Sequence, residues 1–586
     1  MLELLILWTY MLLLSTVIGT AVLAILSFVF KKNIDVKYSF LGVQLAALCF
    51  ITFYTQVWSL FGRVYIEAHL LLLFVSIGIL ICGYLNKNKI ARQVYDVVID
   101  TCSKIVRRML RWEGALFFIL ILITAYYASR GNQHTDTYIY HAEMIRWYEE
   151  YGLVIGMGNL QNHFAYNSAY LGYASFWSMR WLLGQSLHGT NGYIQALLVV
   201  TSIDGLLRIK EKPCYITNGA RLAIIIYAIV NSEYICSPAT DFGALYLVLW
   251  IVLLWSEVTF DRDAHSDVAY DLIFLYGLLC IASCIALTYK LSAGMIVIIA
   301  IYPAICLLKE KRARDILLFL GLGVLTVLPW VARNILISGA IIYPMDMFRL
   351  PFLDWAIPSA VFLEDNSYIS TWGKCLYDIT RVNDPISVWY PIWWEYKDTY
   401  EKMIIISNVL AGLMEIVWIF ERLVHKKRFN LAWAIMKFAF LICMIVWFVK
   451  APFIRYSLSF LLLIPLCEIG QWLSRKEDRK ISGPISIISG FGVIAIALTM
   501  MMYVNYYTLV CVNLAKANLG EPYYISQKDY AQVEYNTYDM DGLTIYYPTY
   551  ESDNSYAPIP STACIQMAYR TTLRGTTLEE GFKPAE

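Results

Sequence analysis

Fourteen stretches of this sequence are apolar over lengths that approach or exceed the roughly 20 residues a helix needs to cross a ~30 Å hydrocarbon layer. They lie near 5–30, 39–61, 69–85, 114–128, 190–208, 219–236, 242–260, 270–288, 292–308, 315–332, 403–420, 430–449, 456–473 and 484–507. Inside hydrocarbon every backbone N–H and C=O must be satisfied within its own segment, so the pattern predicts an all-α polytopic membrane protein of about fourteen transmembrane helices. Composition agrees. The chain is 59% hydrophobic and 16% charged, against roughly 45–50% and 25% in soluble proteins. The first run, Met1 to Phe30, has no basic flank and no small-residue cleavage site, and reads as a retained span.

Lysine and arginine in short loops stay cytoplasmic, which sets orientation. Lys31/Lys32/Lys37, Lys87 through Arg111, Arg208/Lys210/Lys212, Lys309/Lys311/Arg312/Arg314, Arg422/Lys426/Lys427/Arg428 and Arg475/Lys476/Arg479/Lys480 all fall on one side when the spans are counted in order. Both termini, two long loops (129–189 and 335–402) and the tail 509–586 are therefore expected outside. The chain divides into three additional N-terminal helices with a cytoplasmic connector (1–113), a main transmembrane domain (114–508) and the tail, whose tyrosines and turn residues predict a small appendage with short strands. The amphipathic Lys87–Arg111 reads as a binder of anionic lipid or as a solvated connector helix.

The net charge of +1 gives no global field for nucleic acid or an acidic partner. The thirteen cysteines contain no CxxC pair and sit mostly in apolar runs, where a thiol acts as a small hydrophobe. Cys375, Cys511 and Cys564 fall on the outer side, and their pairing is left open.

The most informative segment is the first outer loop, which contains HTDTYIYHAEMIRWYEEYGLVIGMGNL and then FAYNS. Thr135–Tyr151 has helix-forming composition, with Asp136, Tyr140, Glu143 and Trp147 on one face. Such a helix is expected to lie along the membrane surface. Asp136 also has a plain reading as a helix cap. Trp147, Trp177, Trp389, Trp393 and Trp394 fit either sugar stacking or an interfacial aromatic belt.

Asp136, Tyr140, Ala142, Arg146 and Gly152 form a D-x-x-x-Y-x-A-x-x-x-R element followed by a glycine turn. Ser237-Pro-Ala-Thr-Asp241, Leu287-Thr-Tyr-Lys290, Pro329-Trp330-x-x-Arg333-Asn334-x-x-x-x-Gly339 and Ala451-Pro452-x-x-Arg455-Tyr456 follow in order. This series resembles the GT-C superfamily of membrane glycosyltransferases, of the protein O-mannosyltransferase and aminoarabinose transferase type, and in particular a group of bacterial membrane proteins within it. The resemblance covers roughly residues 114 to 475. One departure is Thr137, where many relatives carry a glutamate after the aspartate.

The resemblance implies a GT-C-like bundle in the bacterial cytoplasmic membrane, with its active site on the extracytoplasmic side. It also implies inverting transfer of a sugar from a polyprenyl-phosphate donor to a lipid, glycan or protein. A carboxylate must take the acceptor proton, and fixed cations must stabilise the departing phosphate. Asp136 and Asp241 are the catalytic candidates, and Lys290, Arg333 and Arg455 the phosphate-binding ones. Tyr140, His141, Arg146, His163, Asn334 and Tyr456 are the substrate-binding candidates. No metal ligand set is assigned. The carboxylates would suit Mg²⁺ or Mn²⁺, and His134, His141 and His163 would also admit zinc.

Arg333 and Arg455 end their spans, where snorkelling to headgroups is the ordinary role. Two other functions remain open: a transporter or flippase of lipid-linked sugars, which calls for charged or broken helices near the midplane, and an outer-face glycan polymerase or ligase.

Overall fold

A computed structural model of the chain describes residues 1–32, 39–131, 134–208, 214–260, 271–426, 428–477, 483–517, 523–528, 533–549 and 554–585. Among these, eleven helices are long and apolar enough to cross a membrane, from Leu2–Val29 to Ser489–Lys516. The chain is an all-α polytopic membrane protein. All fourteen predicted runs are helical, but three fall short of the eleven. Trp112–Ala128 and Tyr215–Val230 are short, and Thr190–Leu207 carries Asn191, Gln195 and Asp204. The expected count of about fourteen therefore exceeds what length and composition support.

The amphipathic connector is the helix Lys89–Met109, which meets Trp112–Ala128 at 97°. Its Val94 and Val98 pack on Val17, Ala21 and Ala24 of the first span, so its apolar stripe is covered by protein. Gln44 of the second span accepts from the Tyr193 hydroxyl (2.9 Å) and Thr52 bonds the Tyr289 hydroxyl (2.8 Å). The N-terminal helices thus share one core with the rest of the bundle.

The loops sort to two ends. At one, Lys32 lies 2.5 Å from Asp271 and 3.3 Å from Asp315, and Arg312 lies 2.6 Å from Asp271. The basic residues Lys37, Lys210, Lys212, Lys427, Arg479 and Lys480 lie outside the described residues. At the other end, the Met1 ammonium donates to the Tyr523 carbonyl (2.7 Å) and the Lys528 amide to Ser129 (2.9 Å). There the N-terminus, the first long loop and the tail meet.

The tail holds two antiparallel strand pairs, Tyr535–Met540 with Leu543–Pro548 and Thr571–Leu573 with Phe582–Pro584. It is stapled across the first long loop. Arg146 donates to the carbonyls of Tyr556 (3.1 Å) and Ala557 (3.4 Å), Thr562 to Leu160 (2.7 Å) and Thr571 to Asn159 (2.8 Å). All thirteen cysteines are free thiols, so the outer three do not pair.

The tail also corrects the expected surface helix. Thr135–Tyr151 is a helical turn, a π-helical turn Thr137–His141 and then the helix Ala142–Glu150, whose Glu143, Met144, Ile145, Trp147, Tyr148 and Glu149 are all buried. Loop and tail cover both faces of that helix and leave neither for headgroups. Trp177, Trp389 and Trp393 are buried as well, so with Trp147 they belong to the core and not to an interfacial belt, while Trp394 keeps partial exposure.

Burial pushes the Glu143 carboxyl up to about 8, against the opposing pull of Ser561, Trp147 and Arg146. Asn554 of the tail hydrogen-bonds its Oε2. An acid whose value is raised by folding stabilises most below its ordinary range and loses that contribution as pH rises toward the raised value. Proteolytic release of the tail should therefore quicken from about pH 5 to about pH 9, and Glu143→Gln should flatten the profile. A pH-independent wild-type rate would contradict this coupling.

Candidate functional site

Four segments far apart in sequence bring charges to the loop-and-tail end. Asp136 sits just before the π-helical turn, a local distortion that is frequent at functional sites, and makes no side-chain cap hydrogen bond. Asp241 occupies the first turn of the helix Thr240–Phe260. Lys290 is an extended residue between Leu272–Tyr289 and Leu291–Gly294. Arg455 opens Ile454–Glu477, directly after Ala451-Pro452-Phe453.

These four side chains form one line of alternating charge. The Arg455 Nη2 lies 3.0 Å from Asp136 Oδ2, and its Nε lies 2.9 Å from Asp241 Oδ2 in an ion pair. The Lys290 ammonium contacts the other oxygen of Asp241. His134, which the sequence suggested only as a zinc ligand, accepts from Arg455 Nη1 at 2.6 Å. Tyr456 closes one side, with Lys290 4.0 Å above its ring. Exposure separates the two acids: the Asp136 side chain is 29% open and Asp241 only 7%. Burial alone would raise the Asp136 carboxyl, but the Arg455 guanidinium beside it holds it below the usual carboxylate range.

The backbone around the cluster is braced by short polar contacts. Asn191 donates to the carbonyls of Ser237 (2.8 Å) and Ala239 (3.2 Å), which fixes the turn leading to Asp241. The Ser237 hydroxyl bonds that of Thr137. Thr137 also lies 3.3 Å from His141 Nδ1, and burial brings that imidazole down to about 3, so it is neutral. Tyr140 stacks on His163, with ring centroids 5.3 Å apart.

Three expected site residues are placed elsewhere. Arg333 is fully buried and donates to Ser59 Oγ (2.7 Å), Asn167 Oδ1 (3.1 Å) and the Gly152 carbonyl (3.1 Å), with its guanidinium 4.2 Å from the Tyr148 ring centre. Asn334 accepts from Asn167 Nδ2 at 2.8 Å and donates to the Ile341 carbonyl at 2.9 Å. Trp330 donates to the Asn167 carbonyl at 2.9 Å. The whole P-W-x-x-R-N-x-x-x-x-G element is thus a clamp on Asn167, whose backbone is left-handed (φ 41). Its Gly339 (φ +69) caps the helix where a Cβ would meet Ala356, and at Gly152 (φ +78) a Cβ would meet the Gly62 carbonyl. Arg146, the third, clamps the tail and pairs with Glu150 at 3.0 Å.

A metal finds no ready cage. Among the described residues no three His, Cys, Asp or Glu side chains group closely enough to hold one, and Arg455 and Lys290 already neutralise the two carboxylates. A cavity of about 770 Å³ lies elsewhere, walled by Leu45, Phe53, Leu254 and Leu325, with Arg208 and Arg221 at one end. It touches none of the cluster.

A family model described as a domain of unknown function, DUF8201, matches residues 1–462. The chain belongs to this family. No curated protein and no solved structure matches it. The DUF8201 match takes in Asp136, Asp241, Lys290, Arg455 and Tyr456 and stops before the tail.

The clamp and the charge line respond differently to mutation. Removing the Arg333 guanidinium leaves Asn167, Ser59 and the Gly152 carbonyl unsatisfied in a buried site, at a cost of about 3 kcal/mol or more. Arg333→Ala should lower the thermal midpoint in detergent clearly, and Arg455→Lys, which keeps a cation between Asp136 and Asp241, by much less. Equal shifts would contradict the division.

Proposed function

We propose that this DUF8201 protein is a GT-C-type glycosyltransferase. It takes a sugar from a polyprenyl-phosphate donor and places it on a hydroxyl acceptor at the loop-and-tail end of the bundle, the outer face of a bacterial cytoplasmic membrane. The observation that carries this reading is the line Asp136–Arg455–Asp241–Lys290, assembled from four segments at one end of the spans.

The chemistry assigns each member a task. Asp136, the more open acid, takes the acceptor proton while the acceptor oxygen attacks the anomeric carbon. The bond from that carbon to the phosphate oxygen breaks on the opposite side, and Arg455 and Lys290 stabilise the charge left on the phosphate. Asp241, nearly closed off, holds both cations in place. In the resting arrangement Asp136 is paired with Arg455. An arriving phosphate competes for that guanidinium and frees the base, so donor binding arms the site.

Two outcomes follow for the purified protein with undecaprenyl-phosphate sugars. Asp136→Asn should lower kcat by about 10²–10⁴ with little change in donor KM; equal rates would sink the assignment. A carboxyl held low by Arg455 stays ionised, and so active, until pH falls through its depressed value. Drawing Arg455 away raises that value, so the acid limb of kcat should lie at higher pH than that of kcat/KM.

One observation favours a second reading, a transporter or flippase of lipid-linked sugars. Lys437, seven residues into the span Leu431–Lys450, lies 2.5 Å from Glu468 and contacts Glu415, each on a neighbouring span. Arg475 and Glu421 pair at 3.0 Å on two of those helices. Ionisable residues within spans mark transport paths more often than packing. In proteoliposomes, a flippase would lose movement of a fluorescent lipid-linked sugar in Lys437→Met and keep it in Asp136→Asn; the transferase reading expects no such movement.

A further inference from the structure

Beyond the charge line, a row of rings leads away from Asp136. Tyr140 faces both His163 (5.3 Å) and Tyr166 (5.9 Å), and Tyr166 lies 5.8 Å from Tyr343. At the far end stands Asp365, on the helix Ser359–Gly373 and only 4% exposed. It accepts from the Tyr343 hydroxyl (2.8 Å) and from Asn162 Nδ2 (3.3 Å). Among the described residues no lysine, arginine or histidine forms an ion pair with it. Arg570 and His163 act on it only through space, without an ion pair; a carboxylate so buried is costly, and such groups concentrate at binding sites.

Two more polar atoms point to a missing ligand. The Asn162 Oδ1 and the His163 Nδ1 are buried with no hydrogen-bond partner. Buried polar atoms are nearly always satisfied, so an orphaned pair beside an unpaired acid calls for an explanation. Tyr140, His163 and Tyr166 keep partial exposure although the residues between and around them are buried, as side chains that line a hollow do.

We propose that Asp365, Asn162, His163, Tyr140, Tyr166 and Tyr343 form the subsite that holds an uncharged sugar of the acceptor, an inference that rests on the transferase reading. The chemistry selects this class. A sugar offers hydroxyl hydrogens to Asp365 and Asn162 Oδ1, a hydroxyl to the imidazole, and an apolar C–H face to tyrosine rings. A few convergent polar groups on an aromatic wall are the usual make-up of a small-molecule site. An uncharged ligand fits best, because a buried acid stands here with Arg570 acting on it only through space, while the paired cations Lys290 and Arg455 stand at the other end of the row. The acceptor is therefore a glycan or glycolipid whose terminal sugar reaches back along the rings to Asp136.

The test uses the full-length protein and uncharged methyl hexopyranosides, with binding followed by saturation-transfer NMR in the absence of any donor. Wild type should bind at least one hexoside. Asp365→Asn should weaken that binding by about tenfold or more, since a hydrogen bond to a charged group is lost. Tyr343→Phe, which removes one hydroxyl and keeps the packing, should weaken it by a smaller factor. Absence of hexoside binding by the wild type, or binding by Asp365→Asn and Tyr343→Phe equal to wild type, would overturn the subsite. If Asp365-dependent binding is found and no polyprenyl-phosphate sugar is consumed, the transferase reading fails and the subsite stands. If sugar is transferred and Asp365→Asn raises the donor KM while leaving the acceptor KM unchanged, the subsite assignment fails and the transferase reading stands.

Discussion

Hydrocarbon tolerates no unpaired charge, and this constraint organises the bundle. Arg455 enters the first turn of a span, where its guanidinium needs partners. It finds them in Asp136 and His134 of the first long loop and in Asp241 of a later helix. The same demand places Lys290 on Asp241 and Lys437 between Glu415 and Glu468. Each pairing fixes the rotation of a helix as well as satisfying a charge. The first long loop is thereby tied to three helices that follow it in the chain.

Two kinds of arginine result. Arg333 is enclosed by neutral acceptors and by Tyr148, and its work is to hold Asn167 and Gly152 in their backbone conformations. Arg455 is partly open and paired with two acids. Both stand near the ends of spans in similar short motifs, so position along the chain does not separate them. Their partners do: the Arg333 guanidinium is held inside the core by a backbone carbonyl, a hydroxyl and an amide, whereas that of Arg455 is shared between two carboxylates at a partly open position.

The tail completes the architecture. It lies outside the DUF8201 match yet covers the helix Ala142–Glu150, burying all of it but Arg146 and Glu150. Glu143 and Glu149 become interior carboxyls only because loop, tail and bundle close over them together.

Much was legible in the sequence because hydrocarbon imposes local rules. Apolar run length located all eleven of the membrane-length helices among the described residues, with three further runs that form shorter or more polar helices, and the lysine and arginine clusters marked alternate loops. Asp136, Asp241, Lys290 and Arg455 were readable as candidates through the ordered motifs that resemble the GT-C superfamily. What the tertiary structure alone decided is which of them meet. Asp365, Asn162 and Tyr343 carried no local signal, since an acid in a polar loop is ordinary until its neighbours are known. Lys437 did carry one, a lone cation in an apolar run, yet its partners lie on other spans. Arg333 was separated from the charge line for the same reason. A side chain's role follows from what surrounds it, and in a bundle those surroundings come from helices hundreds of residues away.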